Sequence, residues 1–181
     1  NFQLQEEPMV PRDAAVLVIA GPKSDLSRDE KDAIIDYLMD GGKLVALLDP
    51  DTPDSYRELL SEWGVLLSND HVADLISNVA GEELTPMAQK TNGQFLTSGG
   101  SGISIADTLD VVFFPGSTAM RLAMAPEDPP PSIVYTPLAR STPASWLETN
   151  PDEVSYDPEQ DPRGPLDMVA IVQASATLEG R

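Results

Sequence analysis

Three carboxylates lie close together in the segment DPDTPD, residues 49–54, directly after an apolar run. Carboxylate oxygens are the ligands that Mg²⁺ and Ca²⁺ prefer, so Asp49, Asp51 and Asp54 could hold a hard cation and assist hydrolysis. The segment departs from the EF-hand calcium loop, because it lacks the glycine and the final glutamate of that pattern. The alternative interpretation is structural: Asp54 caps a helix that begins at Ser55, and the prolines stiffen the turn. We favour the structural interpretation and keep the metal-assisted hydrolase as the alternative.

Other catalytic chemistry has little support in the residues. The chain has no cysteine, which excludes disulfides, thiolate metal sites and cysteine nucleophiles. His71 is the one histidine, and a lone histidine is more often structural than a catalytic base, which needs oriented partners. The segment around Ser101 is not a nucleophile elbow, because Ile103 stands where G-x-S-x-G has its second glycine. Neither glycine-rich phosphate-binding motif occurs. We predict a domain that is not an enzyme and uses no cofactor or metal.

The composition predicts one acidic globular domain. With 30 Asp and Glu against 11 Lys and Arg, the chain of 181 residues carries a formal charge of −19. This charge opposes binding to nucleic acid or to an anionic membrane surface. Hydrophobic residues make up 41% of the chain, an ordinary value for a folded protein. We predict a single domain with its core in residues 14–175, excised from a longer protein that carries the membrane anchor.

The first fifty residues predict a strand, a helix and a second strand. The runs AAVLVIAG (14–21) and KLVALLD (43–49) are short and apolar, which is typical of buried strands. Between them, Ser27 and Glu30 have the spacing of a capping box, and a glycine pair at 41–42 ends the helix. Together these elements predict a right-handed parallel βαβ unit.

The alternation of strands and helices is predicted to continue. SYRELLSEWG (55–64) has helical spacing, and VLLS (65–68) is a third strand candidate. The residues at 75–89 could hold a short helix, and those at 91–104 form a surface loop rich in glycine and serine.

Three later segments are predicted to be strands: 110–117, 132–139 and 166–175. The second of them alternates as an edge or antiparallel strand does, and its proline limits pairing. The whole pattern predicts an α/β fold in three layers, with an open, mostly parallel doubly wound sheet between helices and later strands parallel or antiparallel.

Ligands of such a sheet bind at the carboxyl ends of the strands. Five polar or glycine residues are predicted to meet there, and we interpret them as ligand-binding: Gly21, Lys23, Asp49, Asp51 and Ser117.

The segment 144–165 is predicted to be a long surface excursion, because it carries four prolines and six acids against one arginine. Its acids could surround a calcium ion, meet a basic partner or simply keep the loop solvated. Trp146 and Tyr156 are candidate partner-binding residues, since aromatic side chains dominate interface hot spots. They could equally pin the loop onto the body of the domain.

The segment VLVIAGPKSDLSRDEKDAIIDYLMDGGKLVALLDPDTPDSYRELLSEWGV (16–65) resembles the soluble domain of GldG-type auxiliary components of ABC transporters, known from gliding motility. The shared pattern is an apolar strand, GP, a helix with LS, E and YL, then GGKL, DP and a helix that ends in WGV. FFPGSTAMRL (113–122) and TPLARSTPASWLET (136–149) are similar to later segments of that family.

The resemblance implies a fold related to class I glutamine amidotransferases and to a domain of intraflagellar transport proteins. It also implies an extracytoplasmic position, tethered to the cytoplasmic membrane. The amidotransferase Cys-His-Glu triad is not carried over, because this chain lacks cysteine. We therefore expect a domain that binds a permease or ATPase-associated subunit, a transported substrate or a saccharide.

Overall fold

The structure is a computed structural model that describes residues 9–95, 108–123 and 132–175. Part of the predicted loop at 91–104, including Ser101, lies outside the described residues. Strands account for 37% of the described residues and helices for 16%, so this structure is mostly β. Within the described ranges, no helix has the length and apolar character needed to cross a bilayer.

The amino-terminal part of the fold is a βαβ unit. Strand β1 (Leu17–Ala20), helix α1 (Arg28–Met39) and strand β2 (Leu44–Leu47) follow in the predicted order. The two strands pair in parallel, from Leu17 opposite Leu44 to Ala20 opposite Leu47. The predicted parallel unit is therefore confirmed for this part of the chain.

The ends of α1 follow from local sequence signals. The Ser27 side chain accepts a hydrogen bond from the Glu30 N–H, and the Glu30 carboxylate accepts one from the Ser27 N–H, which completes a capping box. At the other end Gly41 adopts a φ of +89°, a conformation that costs glycine little. Both predicted helix signals are confirmed.

Helix α2 (Asp54–Glu62) begins one residue earlier than predicted, and Asp54 is not its cap. Pro53 occupies the cap position and provides no side-chain hydrogen bond. Asp25, in the loop before α1, accepts hydrogen bonds from the Ser55 N–H at 3.2 Å and the Ser55 hydroxyl at 2.8 Å. The first turn of α2 is therefore satisfied by a carboxylate from another loop.

The rest of the described chain is almost entirely β. After α2 the strands are β3 (Val65–Leu67), β4 (His71–Asp74), β5 (Asn78–Val79), β6 (Glu82–Gln89), β7 (Val111–Phe113), β8 (Met120–Leu122), β9 (Ser132–Arg140), β10 (Ser145–Glu148) and β11 (Asp167–Ser175). One turn of 3₁₀ helix, Lys90–Asn92, follows β6.

These later strands form antiparallel sheets. The largest has the order β3-β8-β11-β9, a second has the order β5-β6-β7, and β10 pairs with β4. The longest pairing joins β9 and β11 and runs to Ser132 opposite Ser175. The antiparallel prediction for β9 is confirmed.

The predicted fold class is wrong: the protein is not a parallel doubly wound α/β fold, and β1 with β2 is the one parallel pair among the described strands. The implied relation to class I glutamine amidotransferases is not confirmed either. A short apolar run indicates a strand but not the direction of its partner, which long-range packing decides.

The short helix predicted at 75–89 is wrong as well. These residues form the β5–β6 hairpin, in which Val79 lies opposite Glu82. Ala80 and Gly81 between them have φ angles of 55° and 89°, as a type I′ turn requires.

The main core lies within the antiparallel part of the protein. Its buried side chains come from several strands and the segments beside them: Val72, Ala88, Phe95, Ala119, Ala139 and Met168. Ile34 and Leu59, each 1% exposed, are the buried residues of α1 and α2. Strands β3 to β11 thus hold most of the core, and we call them the β body. The βαβ unit is attached to this β body.

Candidate functional site

The carboxyl ends of β1 and β2 bring together four of the five predicted ligand-binding residues. The Lys23 ammonium lies 2.8 Å from an Asp51 oxygen and 3.4 Å from Asp49 Oδ2. Gly21, with a φ of +51°, donates its N–H to the Leu47 carbonyl, and a Cβ added there would lie 3.6 Å from Asp49 Oδ2. We call Gly21, Lys23, Asp49 and Asp51 the Lys23 cluster.

The Lys23 cluster is charged and open to solvent. The side chains of Lys23, Asp49 and Asp51 are 64%, 51% and 67% exposed. The hydrogen bond to Asp51 raises the pKa of Lys23, and the same bond lowers the pKa of Asp51. Lys23 and Asp51 therefore stay ionised at neutral pH, and water screens the attraction within the cluster. Such a cluster can exchange internal ion pairs for contacts with a partner.

Arg57, which the sequence analysis did not single out, fixes the DPDTPD segment in place. Its guanidinium donates to the carbonyls of Pro50 at 2.6 Å and Thr52 at 3.2 Å. It also donates to the carbonyls of Leu67 at 3.1 Å and Ser68 at 2.6 Å. One side chain thus joins the loop after β2 to the turn between β3 and β4. Burial lowers the pKa of Arg57, which nevertheless remains charged.

The DPDTPD segment is a closed turn rather than an open cation loop. The Thr52 N–H donates to the Asp49 carbonyl at 3.1 Å, and the Asp49 N–H donates to the Thr52 hydroxyl at 3.0 Å. Thr52 is 4% exposed, so the turn is packed from below while Asp49 and Asp51 point outward. This is the structural role that the sequence favoured, although the carboxylate that accepts from the first turn of α2 is Asp25 and not Asp54.

The three aspartates of this segment do not converge on one point. Asp49 and Asp51 contact Lys23, whereas Asp54 lies 3.8 Å from Arg57 Nε. Among the residues that the structure describes, no three His, Cys, Asp or Glu side chains are arranged to hold a metal ion. The hydrolase alternative therefore gains no support from the geometry.

Ser117, the fifth predicted ligand-binding residue, belongs to the β body. Its carbonyl accepts a hydrogen bond from the Val72 N–H of β4 at 2.8 Å. Its hydroxyl oxygen is buried and has no hydrogen-bond partner in the described part of the chain. The next residue, Thr118, donates its hydroxyl to the Ser68 carbonyl at 3.0 Å. Thr118, beside Ser117, thus donates to the same Ser68 carbonyl that Arg57 contacts.

His71 stands at the start of β4, opposite Glu148 in β10. It makes a minor electrostatic contribution that lowers the pKa of Asp51 and of Glu148. The lone histidine therefore lies beside the acidic segment.

The acidic segment 144–165 is not wholly a surface excursion, because it begins with β10 and buries several side chains. Trp146, proposed from the sequence as a partner anchor, is 3% exposed and cannot serve as one. Its indole N–H donates to Glu148 at 2.9 Å, and its ring lies edge-on to Tyr156 with centroids 5.9 Å apart. The Arg163 guanidinium lies 4.5 Å from the Tyr156 ring centroid. Trp146 therefore pins the segment onto the body.

Glu148 is a buried carboxylate with three donors. It is 2% exposed and accepts hydrogen bonds from the Trp146 indole, the Asn150 N–H and the Ser155 N–H. Burial pushes the pKa of Glu148 up, but these hydrogen bonds outweigh it and leave the pKa below its ordinary value. The carboxylate therefore organises the segment through these three hydrogen bonds.

Asp74 is a second structural carboxylate that sequence reasoning missed. It is fully buried and accepts hydrogen bonds from the N–H groups of Ile76, Ser77 and Thr142 and from the Thr142 hydroxyl. Its position just before the bend at residues 75–77 is a weak local signal for an Asx turn. No sequence pattern near Asp74 predicts its contact with Thr142, which is 68 residues away in the chain.

Comparison with known families gives the broad assignment. The family described as ABC-type uncharacterized transport system matches residues 1–181. The chain belongs to this family. Its members are auxiliary components of ABC-type transport systems. No curated protein matches the chain.

Among solved structures, the mmIFT52 N-terminal domain is similar in fold. The TM-score is 0.54 at 15% sequence identity, and the match covers 72% of this chain and 57% of that chain. The present chain therefore spans less than two thirds of the length of the solved structure. At such low identity the likeness concerns the fold alone.

Proposed function

We propose that this domain is a non-catalytic binding module of a GldG-type auxiliary component in an ABC transport system. It lies on the extracytoplasmic side, where segments outside this sequence tether the protein to the cytoplasmic membrane. The family assignment over residues 1–181 supports the transport role. The resemblance of residues 16–65 to the gliding-motility family supports the finer placement.

The observation that carries the binding role is the Lys23 cluster. Its charged groups are exposed, and Arg57 holds the loop that carries Asp49 and Asp51 against the β body. Preorganised charges on a rigid support give an interface its orientation and specificity. Small-molecule sites are concave and bury about 70–90% of the surface of their ligand. The side chains of Lys23, Asp49 and Asp51 are instead more than half exposed. A partner subunit therefore fits the cluster better than a small substrate or a glycan.

The contacts that the acidic side chains make support a role without catalysis. Lys23 forms ion pairs with Asp49 and Asp51, and the buried Asp74 and Glu148 are occupied by structural hydrogen bonds. A general acid, base or nucleophile needs a free reactive atom beside an oriented partner. These carboxylates instead hold loops in place.

The test is binding of the full-length protein to its detergent-solubilised transporter. The double variant Lys23→Ala/Asp51→Ala removes one positive and one negative group from the cluster. We expect its affinity to fall by about tenfold, or about 1.4 kcal/mol. The matched control is Arg28→Ala/Asp32→Ala, which removes another exposed ion pair, 3.9 Å apart on α1.

Unchanged affinity of the cluster variant, or equal losses in both variants, would contradict the proposal. Titration of the same proteins with soluble oligosaccharides separates the alternatives. Saccharide binding that the cluster variant loses would assign the site to a glycan and not to a subunit.

A further inference from the structure

One face of the β1–β2 pair is apolar and uncovered. Val16, Val18, Val45 and Leu47 are 45%, 58%, 46% and 59% exposed. Val18 lies opposite Val45 in the parallel register, so these side chains are neighbours on one side of the sheet. We call these four residues the open face.

An open face is unusual for parallel strands. Parallel sheets occur almost only with both faces covered, and their strands are apolar throughout for that reason. Here the alternate residues Leu17, Ile19, Leu44 and Ala46 are partly buried, while the open face meets solvent. The sequence of β1 and β2 is thus suited to a covering layer that the described residues do not supply.

The size of the open face fits the centre of an interface. Four aliphatic side chains about half exposed present roughly 300 Å² of apolar surface, the size of functional patches on monomers. A stable complex buries about 800 Å² per partner. The contact must therefore extend from the open face onto its rim.

The rim contains the Lys23 cluster. The exposed positions of β2 alternate as Val45 and Leu47, and Asp49 continues the alternation with a 51% exposed side chain. The apolar face and the charged cluster therefore form one continuous surface, apolar in the middle and acidic at its carboxyl end. This is the arrangement of an interface with an apolar core and a polar rim.

We propose that the open face is the docking surface for another component of the transport system, one that presents an apolar patch bordered by lysine or arginine. This inference rests on the proposed function and specifies its partner. The acidic rim and the net charge of −19 favour a basic border on the partner. The same charges repel a second copy of this chain, and they repel an anionic lipid surface.

Photo-crosslinking of the full-length protein in membranes with its transporter tests the docking surface. Benzoylphenylalanine replaces Val18 or Leu47 in the open face, or the exposed Ser24 beside Lys23. Val134 of β9 is the matched control, because it is an exposed valine, 54% accessible, in a different sheet. We expect transporter subunits in the crosslinks from positions 18 and 47 and none from position 134.

The outcomes separate this inference from the proposed function. Crosslinks to a subunit from position 24, but not from 18 or 47, would overturn the open face and leave the binding role standing. Crosslinks from none of these positions would overturn both. A product with the mass of two copies of this chain would assign the open face to self-association instead.

Affinity of charged variants gives a second measurement. Val18→Asp and Leu47→Asp add a charge where an apolar partner must pack, and we expect each to weaken binding at least about tenfold. Val134→Asp is the control and should bind normally. Thermal unfolding accompanies each variant, and melting temperatures equal to the native value confirm that a loss of affinity concerns the interface. Native affinity in a folded Leu47→Asp variant would overturn the inference.

Discussion

Replacement of Arg57 by alanine should loosen the joint between the βαβ unit and the β body. The Arg57 side chain is 13% exposed and makes hydrogen bonds to the carbonyls of four residues: Pro50, Thr52, Leu67 and Ser68. Charge-assisted hydrogen bonds contribute about 1.5 kcal/mol or more each, and the cost of burying the guanidinium offsets part of that total. We expect a net loss of about 3 kcal/mol in the free energy of unfolding.

A loss of that size should lower the melting temperature by roughly 6–12 °C for a domain of this length. Differential scanning calorimetry or circular dichroism on the purified domain measures it. Hydrogen exchange should also accelerate in residues 49–54 and 67–71, because those loops lose their common donor.

Two further variants show whether the planar shape of the Arg57 guanidinium matters. Arg57→Lys keeps the charge but cannot reach four carbonyls with a fixed planar group, so most of the loss should remain. Asp54→Asn removes only the 3.8 Å ion pair of an 89% exposed carboxylate, and its effect should stay within about 0.5 kcal/mol. A loss below about 1 kcal/mol in Arg57→Ala, or full rescue by lysine, would refute the reasoning.

Two other predictions concern the carboxylates. Mg²⁺, Ca²⁺ or Mn²⁺ should change the melting temperature of the native protein and of Asp51→Asn equally, because Asp51 is already paired with Lys23. A shift that only the native protein shows, together with hydrolysis of a substrate, would instead support a metal site at Asp51. The pKa of Glu148 is lower in the folded protein than the unfolded value of about 4.3, so its ionised form stabilises the fold above that pH. This stabilisation is lost as the pH falls through the folded-state pKa. Urea unfolding between pH 6 and 3 should therefore show a shallower decline for Glu148→Gln than for the native protein, and identical slopes would contradict the assignment.

The parts of the fold that the sequence predicted correctly are those with local causes. The capping box at Ser27 and Glu30 and the glycine after α1 act within a few residues, so their signals can be read directly. The β5–β6 hairpin was missed because Ala80 is an unusual residue at positive φ and Pro86 lies within the strand. Partner direction in the later sheets depends on packing between distant segments, for which the chain has no local signal.

The candidate site divides in the same way. The strand-end rule located Lys23, Asp49 and Asp51, because two parallel strands with a crossover helix fix where their ends lie. Arg57 was missed since its acceptors are backbone carbonyls, which leave no mark on the sequence. The open face was missed for a different reason: a continuous apolar run predicts burial on both sides, whereas the fold covers one.

The Asp25 cap has a consequence for how this family can vary in length. The loop between β1 and α1 must carry a carboxylate to the first turn of α2, thirty positions further along the chain. An insertion in that loop would move the carboxylate away and leave the start of α2 unsatisfied, so relatives should conserve the spacing of this loop. The exposed Ala80-Gly81 turn carries no such contact to a distant helix, and natural variation in length should accumulate at turns of that kind.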